Sequence, residues 1–346
     1  MTKKQQKTHN QSKQSLHSWK NQFIYSLMIV SYALVACLSI LIAVHSVISQ
    51  QVRDLIVVEP PISNVPIAPY PHINQVLGVN TVSKTNAAFI SDMRHAPIFQ
   101  DISAQSAIIL DDDSKVVLFS KNANFRFSMA STTKIMTALV ALDYYAPDAV
   151  LTVPSDKMTG ALVGLQPGQQ FRFEDLLYGM LLPSGNDAAL TIAKNYPGGQ
   201  MAFVEKMNQK ATEYQLFNTH FADSVGLADE GDYTTVRELA LLASIARKKP
   251  AFAQVVSTKE KIISTVDGKN TYYLFNLNKL LGTYGVTGIK TGFTDEAGEV
   301  LVTSQQQDGH TLIIVVMKSL DRFLDTEKIL TQLGGAISYV NFDANH

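Results

Sequence analysis

Apolar and polar positions fall into four regimes along this chain. Residues 1–21 show no apolar periodicity at all. From 23 to 48 there is no Asp, Glu, Lys or Arg, and only His45 is strongly polar. A run of that length is enough to cross a bilayer of about 30 Å as a helix. Between 50 and about 86 the residues Pro60, Pro61, Pro66, Pro69 and Pro71 crowd together, which favours an extended, semi-rigid backbone. From about residue 100 onward, short apolar runs alternate with helical periodicity to the end of the sequence.

Within that last regime, Ser106-Ala107-Ile108-Ile109-Leu110 and Val116-Val117-Leu118-Phe119 flank the polar stretch Asp111-Asp112-Asp113-Ser114-Lys115. This is the pattern of a strand, a tight turn and a return strand. Helical periodicity predicts helices over 131–144, 173–182, 187–195, 201–214 and 234–247. Thr234 and Thr235 ahead of Glu238 form the start signal of the last of these. Strands are predicted over 261–265, 271–274, 286–291, 299–303 and 311–317, with Asp308-Gly309 as the turn between the final pair. A closing helix is predicted over 324–340. Strands, then helices, then strands and a helix imply an α+β fold, with early and late strands in one antiparallel sheet and helices packed on it.

Composition narrows the function. The 346 residues carry a net charge of −1, so neither nucleic acid nor another polyanion is indicated as a partner. Cys37 is the only cysteine, which rules out an intrachain disulfide and a cysteine-rich metal site. Lys3, Lys4, Lys7, Lys13 and Lys20 have no acidic counterpart in 1–21, so that stretch reads as a disordered cytoplasmic tail. Basic residues on that side place the following segment, 22–48, as an N-terminal membrane anchor or uncleaved signal segment with the rest of the chain outside. A cleaved signal peptide is the alternative; its apolar core usually runs about 7–15 residues, and Ser46 or Ser49 would permit cleavage. Leu34-Val35-Ala36-Cys37 is similar to a lipoprotein cleavage site, but apolar residues continue past Cys37, which reads as a membrane-buried small residue. Residues 49–99 then form a Pro-rich stalk, and 100–346 the folded domain.

Three short patterns carry chemistry in order: Ser131-x-x-Lys134, Ser184-Gly185-Asn186 and Lys290-Thr291-Gly292. The first two types each arise by chance about once per chain of this size. Ser120-Lys121-Asn122 is such a chance S-x-N. The third type arises in about one such chain in ten. On a helix, Ser131 and Lys134 share one face. A serine hydroxyl is a weak nucleophile and needs a base in reach. Lys134 can serve if desolvation or nearby positive charge, from the helix start or from Lys290, lowers its pKa. Ser184 would relay a proton to a leaving nitrogen, and Asn186 would position lysine and substrate. Lys290 and Thr291 suit a substrate carboxylate, and Gly292 lets an extended peptide lie against an edge strand. The backbone N–H groups of Ser131 and Phe293 are the natural oxyanion-hole donors if strand and helix start adjoin. Taken singly, Lys134 reads as a solvated helix lysine and Ser184 as a helix cap. A Ser-His-Asp hydrolase would need His220 or His310, and His310, after a hairpin turn, is expected to be solvent-exposed.

With these residues, the domain closely resembles the serine-type D-alanyl-D-alanine carboxypeptidases, the low-molecular-mass penicillin-binding proteins of peptidase family S11. The similarity runs from about 102 to 341. It includes Leu176-Leu177-Tyr178-Gly179-Met180-Leu181-Leu182-Pro183, Phe203-Val204-Glu205-Lys206-Met207-Asn208, Gly226-Leu227 and Gly288-Ile289-Lys290-Thr291-Gly292-Phe293-Thr294. The resemblance implies a serine β-lactamase/DD-peptidase-like fold, no metal or organic cofactor, and acyl transfer through Ser131 on peptidoglycan stem peptides. It further implies covalent inhibition by β-lactams and a bacterial cell-membrane location with the catalytic domain extracytoplasmic. Asp223-Ser224-Val225 departs from the Asn-Pro-x usual in the family, and Val300 stands where cysteine is frequent. Neither the β-rich C-terminal domain nor the amphipathic C-terminal helix of many relatives follows in this sequence. The rival readings are a D,D-endopeptidase, a β-lactamase and a non-catalytic penicillin sensor. Against the β-lactamase stands the absence of a Glu-x-x-Leu-Asn stretch after Asn186.

Overall fold

The run Asp111 to Lys115 reverses the chain between two apolar strands, as its composition implies. In the computed structural model, which describes residues 86–90, 101–228, 230–333 and 337–341, these strands are preceded by β1 (Asn86–Ile90). They are β2 (Ser106–Asp111) and β3 (Val117–Lys121). Asp111 closes the turn by accepting the Ser114 N–H at 2.7 Å. β4 (Phe127–Ser128) leads into a 3-10 turn, Ala130–Thr133, and directly into α1 (Lys134–Tyr144). A mostly helical middle follows: β5 (Val150–Thr152), β6 (Gln170–Arg172), α2 (Phe173–Leu181), α3 (Asn186–Lys194), α4 (Gly199–Glu213), β7 (Tyr233–Thr234), α5 (Val236–Arg247) and α6 (Pro250–Val256). The remainder is β8 (Glu260–Ser264), β9 (Thr271–Phe275), β10 (Val286–Thr294), β11 (Gly298–Gln307), β12 (His310–Ser319), α7 (Arg322–Leu333) and β13 (Ile337–Asn341).

Early and late strands meet in one antiparallel sheet ordered β10-β11-β12-β2-β3. Its period of two sends alternate side chains to opposite faces, and both faces are buried. Ile108, Leu110, Ile313 and Val315 join α1, α5 and the helical middle through Ile135, Leu139 and Leu239. Ala107, Ile109, Ile314 and Val316 pack on Ile329, Leu330 and Leu333 of α7. The start of α5 follows its sequence signal: the Thr235 side chain accepts the Glu238 N–H at 3.1 Å. Asp308 and Gly309, both at positive φ (52° and 80°), make the hairpin turn between β11 and β12.

Two expectations need correction, and one helix was not anticipated. The closing helix ends at Leu333, and Ile337–Asn341 is instead β13, paired antiparallel with β1. Gly334-Gly335 follow Leu333 in sequence and are poor helix formers, while Ile337, Tyr339 and Val340 favour a strand. β8 and β9 are strands, but they pair with each other in a separate hairpin rather than in the main sheet. α6 was not anticipated; Pro250 occupies its first turn, where its missing N–H costs nothing. The predicted tail and membrane anchor, and the stalk apart from β1, lie outside the described residues. Among the described residues no helix is long and apolar enough to cross a membrane.

Candidate active site

Ser131 sits in the 3-10 turn, after Ala130 in a left-handed conformation (φ 46°), at the mouth of α1. β10 runs alongside this turn. A Cβ placed on Gly292 would lie 3.2 Å from the Ala130 Cβ and 3.3 Å from the Ser131 nitrogen. Strand and helix start therefore adjoin, as the oxyanion-hole reading required, and Gly292 is small first of all to admit the nucleophile turn. Lys134 is fully buried. Its Nζ contacts Ser131 Oγ at 2.8 Å, Asn186 Oδ1 at 2.7 Å and the Val225 carbonyl at 2.6 Å. These three partners use up the three donors of an ammonium. A neutral amine would keep two N–H bonds for Asn186 and Val225 and turn its lone pair on the Ser131 hydroxyl. Burial pushes the Lys134 pKa down to about 7, opposed by the charges of Asp223, Asp232 and Asp187. Desolvation is the leading cause of the lowering and the three acids oppose it; Lys290, the cation expected from sequence, lies close enough that the two lysines repel each other.

Ser184 has a positive φ of 64° and a buried Oγ with no hydrogen-bond partner among the described residues. The cap position of α3 belongs to Gly185, and no side chain bonds there, so Ser184 is not a helix cap. Gly185 has no room for a side chain, with Val163 Cγ2 2.6 Å and the Gly179 carbonyl 2.7 Å from its would-be Cβ. Asn186 accepts from Lys134 and donates through Nδ2 to the Thr159 carbonyl at 2.7 Å. Next to it, Asp187 accepts the N–H groups of Val163, Gly164 and Leu165 at 2.8–3.0 Å. Opposite, Asp223 accepts those of Val225, Gly226, Leu227 and Ala228 at 2.5–3.0 Å. Two carboxylates thus shape the two loops that enclose the lysine and Asn186.

On the strand side, Lys290 and Thr291 are buried in β10, an edge of the main sheet. Lys290 Nζ donates to the Thr291 carbonyl at 2.9 Å. Burial drives its pKa well below the usual lysine value, and the neighbouring Lys134 and Arg322 push the same way. Arg322, the first residue of α7, donates from Nη1 to the Gly292 carbonyl at 2.8 Å. It was not anticipated, because nothing in its local sequence marks it out and only packing of α7 on the sheet brings it to β10. Phe293 is 58 % exposed at the lip of the site. The two histidines are engaged elsewhere: His220 Nδ1 meets the Gly231 carbonyl at 2.8 Å, and His310 faces Asp113 at 3.8 Å. At 16 % side-chain exposure, His310 is partly buried between strands rather than solvent-exposed.

Comparison with known proteins places this geometry. A family model described as D-alanyl-D-alanine carboxypeptidase matches residues 91–320. The chain is 35% identical over 223 residues to D-alanyl-D-alanine carboxypeptidase DacF of Bacillus subtilis, covering 62% of this chain and 57% of that protein. It therefore spans little more than half the length of that relative. It is 34% identical to a D-alanyl-D-alanine endopeptidase of Pseudomonas aeruginosa, covering 66% of this chain and 75% of the relative. Among solved structures, the Streptomyces K15 DD-transpeptidase superposes with a TM-score of 0.64 at 35% identity, covering 68% of this chain and 98% of that one.

Proposed function

The chain belongs to the D-alanyl-D-alanine carboxypeptidase family of serine hydrolases, and from that premise we propose that it removes the terminal D-alanine of peptidoglycan stem peptides through an acyl-enzyme on Ser131. The observation that carries this is the 2.8 Å contact between Ser131 Oγ and the buried Lys134 amine, whose pKa near 7 leaves much of it neutral at physiological pH. Lys134 takes the hydroxyl proton as Oγ attacks the carbonyl of the penultimate D-alanine. The backbone N–H groups of Ser131 and Phe293 hold the developing oxyanion. Ser184, whose Oγ is unengaged by the described residues, passes the proton to the leaving nitrogen, and terminal D-alanine departs. Water then releases the shortened peptide with the same base. Asn186 keeps Lys134 aimed. Lys290 and Thr291, with Arg322 behind them, receive the terminal carboxylate. The peptide lies along β10 past Gly292.

β-Lactams present a ring-strained amide carbonyl to Ser131 in place of the peptide carbonyl and leave a long-lived adduct. The segment 22–48 anchors the protein in the membrane of a bacterial cell, with the catalytic domain on the wall side, where its substrate is. Labelling with fluorescent penicillin tests the assignment: wild type is expected to label and Ser131→Ala to stay dark, and equal labelling would remove Ser131 as nucleophile. Digestion of purified muropeptides tests the bond that is cut. Loss of D-alanine from pentapeptides is expected, whereas conversion of cross-linked dimers to monomers would make the enzyme an endopeptidase.

A further inference from the structure

The loop that receives the lysine is unusually constrained. Asp223 accepts four consecutive backbone N–H groups, those of Val225, Gly226, Leu227 and Ala228. The turn is pinned on two further sides. Thr137 of α1 donates to the Ser224 carbonyl at 2.8 Å, and a Cβ on Gly226 would fall 2.0 Å from the Ala130 carbonyl, one residue before the nucleophile. Within this clamped turn the Val225 carbonyl meets Lys134 Nζ at 2.6 Å. We propose that Asp223 is a positioning residue for the base: its carboxylate fixes the Val225 carbonyl against Lys134 and sets a negative charge behind the amine. This rests on the reading of Lys134 as the base of acylation.

The surroundings bear on how that charge acts. Lys134 is faced by Asp223 and Asp232 from this loop, by Asp187 from α3, and by Lys290 from β10, with Arg322 beyond Lys290. Asp232 is 1 % exposed; Oδ1 accepts the Ala222 N–H at 2.8 Å and Oδ2 has no hydrogen-bond partner among the described residues. Around it, His220 holds the Gly231 carbonyl and Arg126 lies over the Tyr233 ring. Burial and the charge of Asp223 raise the Asp232 pKa to about 7. Asp223 is saturated by N–H donors, whereas Asp232 keeps one buried oxygen without a hydrogen-bond partner among the described residues. Removing either negative charge makes the Lys134 ammonium less favourable, so the base loses its proton at lower pH.

The test is the pH dependence of penicillin acylation by the full chain, for wild type and for Asp223→Asn, Asp223→Ala, Asp232→Asn and Lys134→Ala, with Tm measured alongside. In Asp223→Asn the amide nitrogen cannot accept, so part of the clamp opens. The acylation plateau is expected to fall about tenfold, and the acid limb to move to lower pH. Asp223→Ala is expected to lose about 100-fold on the plateau, the cost typical of misplacing a catalytic group by about 1 Å. Peptide KM is expected to hold nearly constant. Asp232→Asn should move the acid limb in the same direction. If both Asp223 variants keep the wild-type plateau and limb, or lose activity only in step with Tm with the limb unmoved, Asp223 does not position the base. If Asp223→Ala does not fold, Asp223→Asn decides alone. Lys134→Ala separates the two layers: if that variant still acylates rapidly, the underlying reading of Lys134 fails, whatever Asp223 does.

Discussion

Lys134 and Lys290 are buried on opposite walls of one cleft, yet almost nothing else about them agrees. Lys134, on the helix side, has three hydrogen-bond acceptors and three acids within electrostatic reach. Lys290, on the strand side, has a backbone carbonyl for a partner and two cations for neighbours. Burial depresses both pKa values, but on the helix side the acids oppose it, and on the strand side the cations add to it. The difference matches two tasks. A base must sit near its own pKa so that it can gain and lose a proton in each cycle. A receptor for an anion is held short of countercharge until the anion arrives, and the ligand then supplies what the fold withholds.

The largest effect should come from the helix side. Lys134→Ala is expected to lower the rate of D-alanine release by about 1000-fold or more, in kcat rather than KM. Lys134→Arg should do no better, since a guanidinium does not give up its proton. In the wild type, kcat/KM should rise with pH through about 7 as Lys134 becomes neutral. A flat profile across that range would mean that the two lysines do not differ in the way described.

On the strand side, Lys290→Ala is expected to cost about 100-fold in kcat/KM, carried mainly by KM. Amidating the peptide terminus should hurt the wild type far more than the variant. Because Lys290 is driven toward the neutral form, binding of a carboxylate should restore its charge and take up a proton. Titration calorimetry in two buffers of different ionisation enthalpy would register it. Binding without proton uptake would place Lys290 already charged in the free enzyme and erase the contrast with Lys134.

How much of this was legible beforehand depended on the range of the interaction. Ser131 and Lys134 are three apart on one helical turn, so their meeting could be read locally. Ser184, Asn186, Lys290 and Thr291 were found because short patterns recur in a family, not because spacing brings them together. Asp187, Asp223 and Arg322 escaped. Each acts on backbone groups of a loop or strand whose position is a tertiary fact, and Asp223 stood out only as a departure from the family pattern. The same limit applied to the fold. Strands β8 and β9 were visible as strands, but a strand does not declare its sheet. The closing helix was overrun because apolar spacing was followed through Gly334-Gly335.

Two glycines on the two walls separate strain from contact. At Gly226, φ is 84° and a new Cβ would meet the Ala130 carbonyl at 2.0 Å, so Gly226→Ala should displace the nucleophile turn. A loss of about 2–4 kcal/mol is expected, together with most of the acylation rate. Gly292→Ala has ordinary backbone and contacts no nearer than 3.2 Å, so about 1–2 kcal/mol is expected, with a smaller loss in rate. Thermal melts and penicillin labelling of the two variants would check the order; equal effects would mean that the turn leans no more on the acid-lined loop than on the strand.

The smallest change tests whether the contrast is confined to the cleft. Thr235 caps α5 through the Glu238 N–H, and α5 supports the sheet from the face that also carries α1. Thr235→Ala removes this cap and should cost about 1 kcal/mol. For a domain of this size that is a fall in Tm of about 2–4 °C. Glu238 would still hold Asn218 and Thr219 at 2.6–3.0 Å, so the connection leading to the Asp223 loop keeps its footing. The acid limb of acylation and the proton uptake on carboxylate binding should therefore both stay at their wild-type positions. If a lost cap on α5 moved either one, the environments of the two lysines would be properties of the whole helical layer, and the local account of their difference would have to be widened to include it.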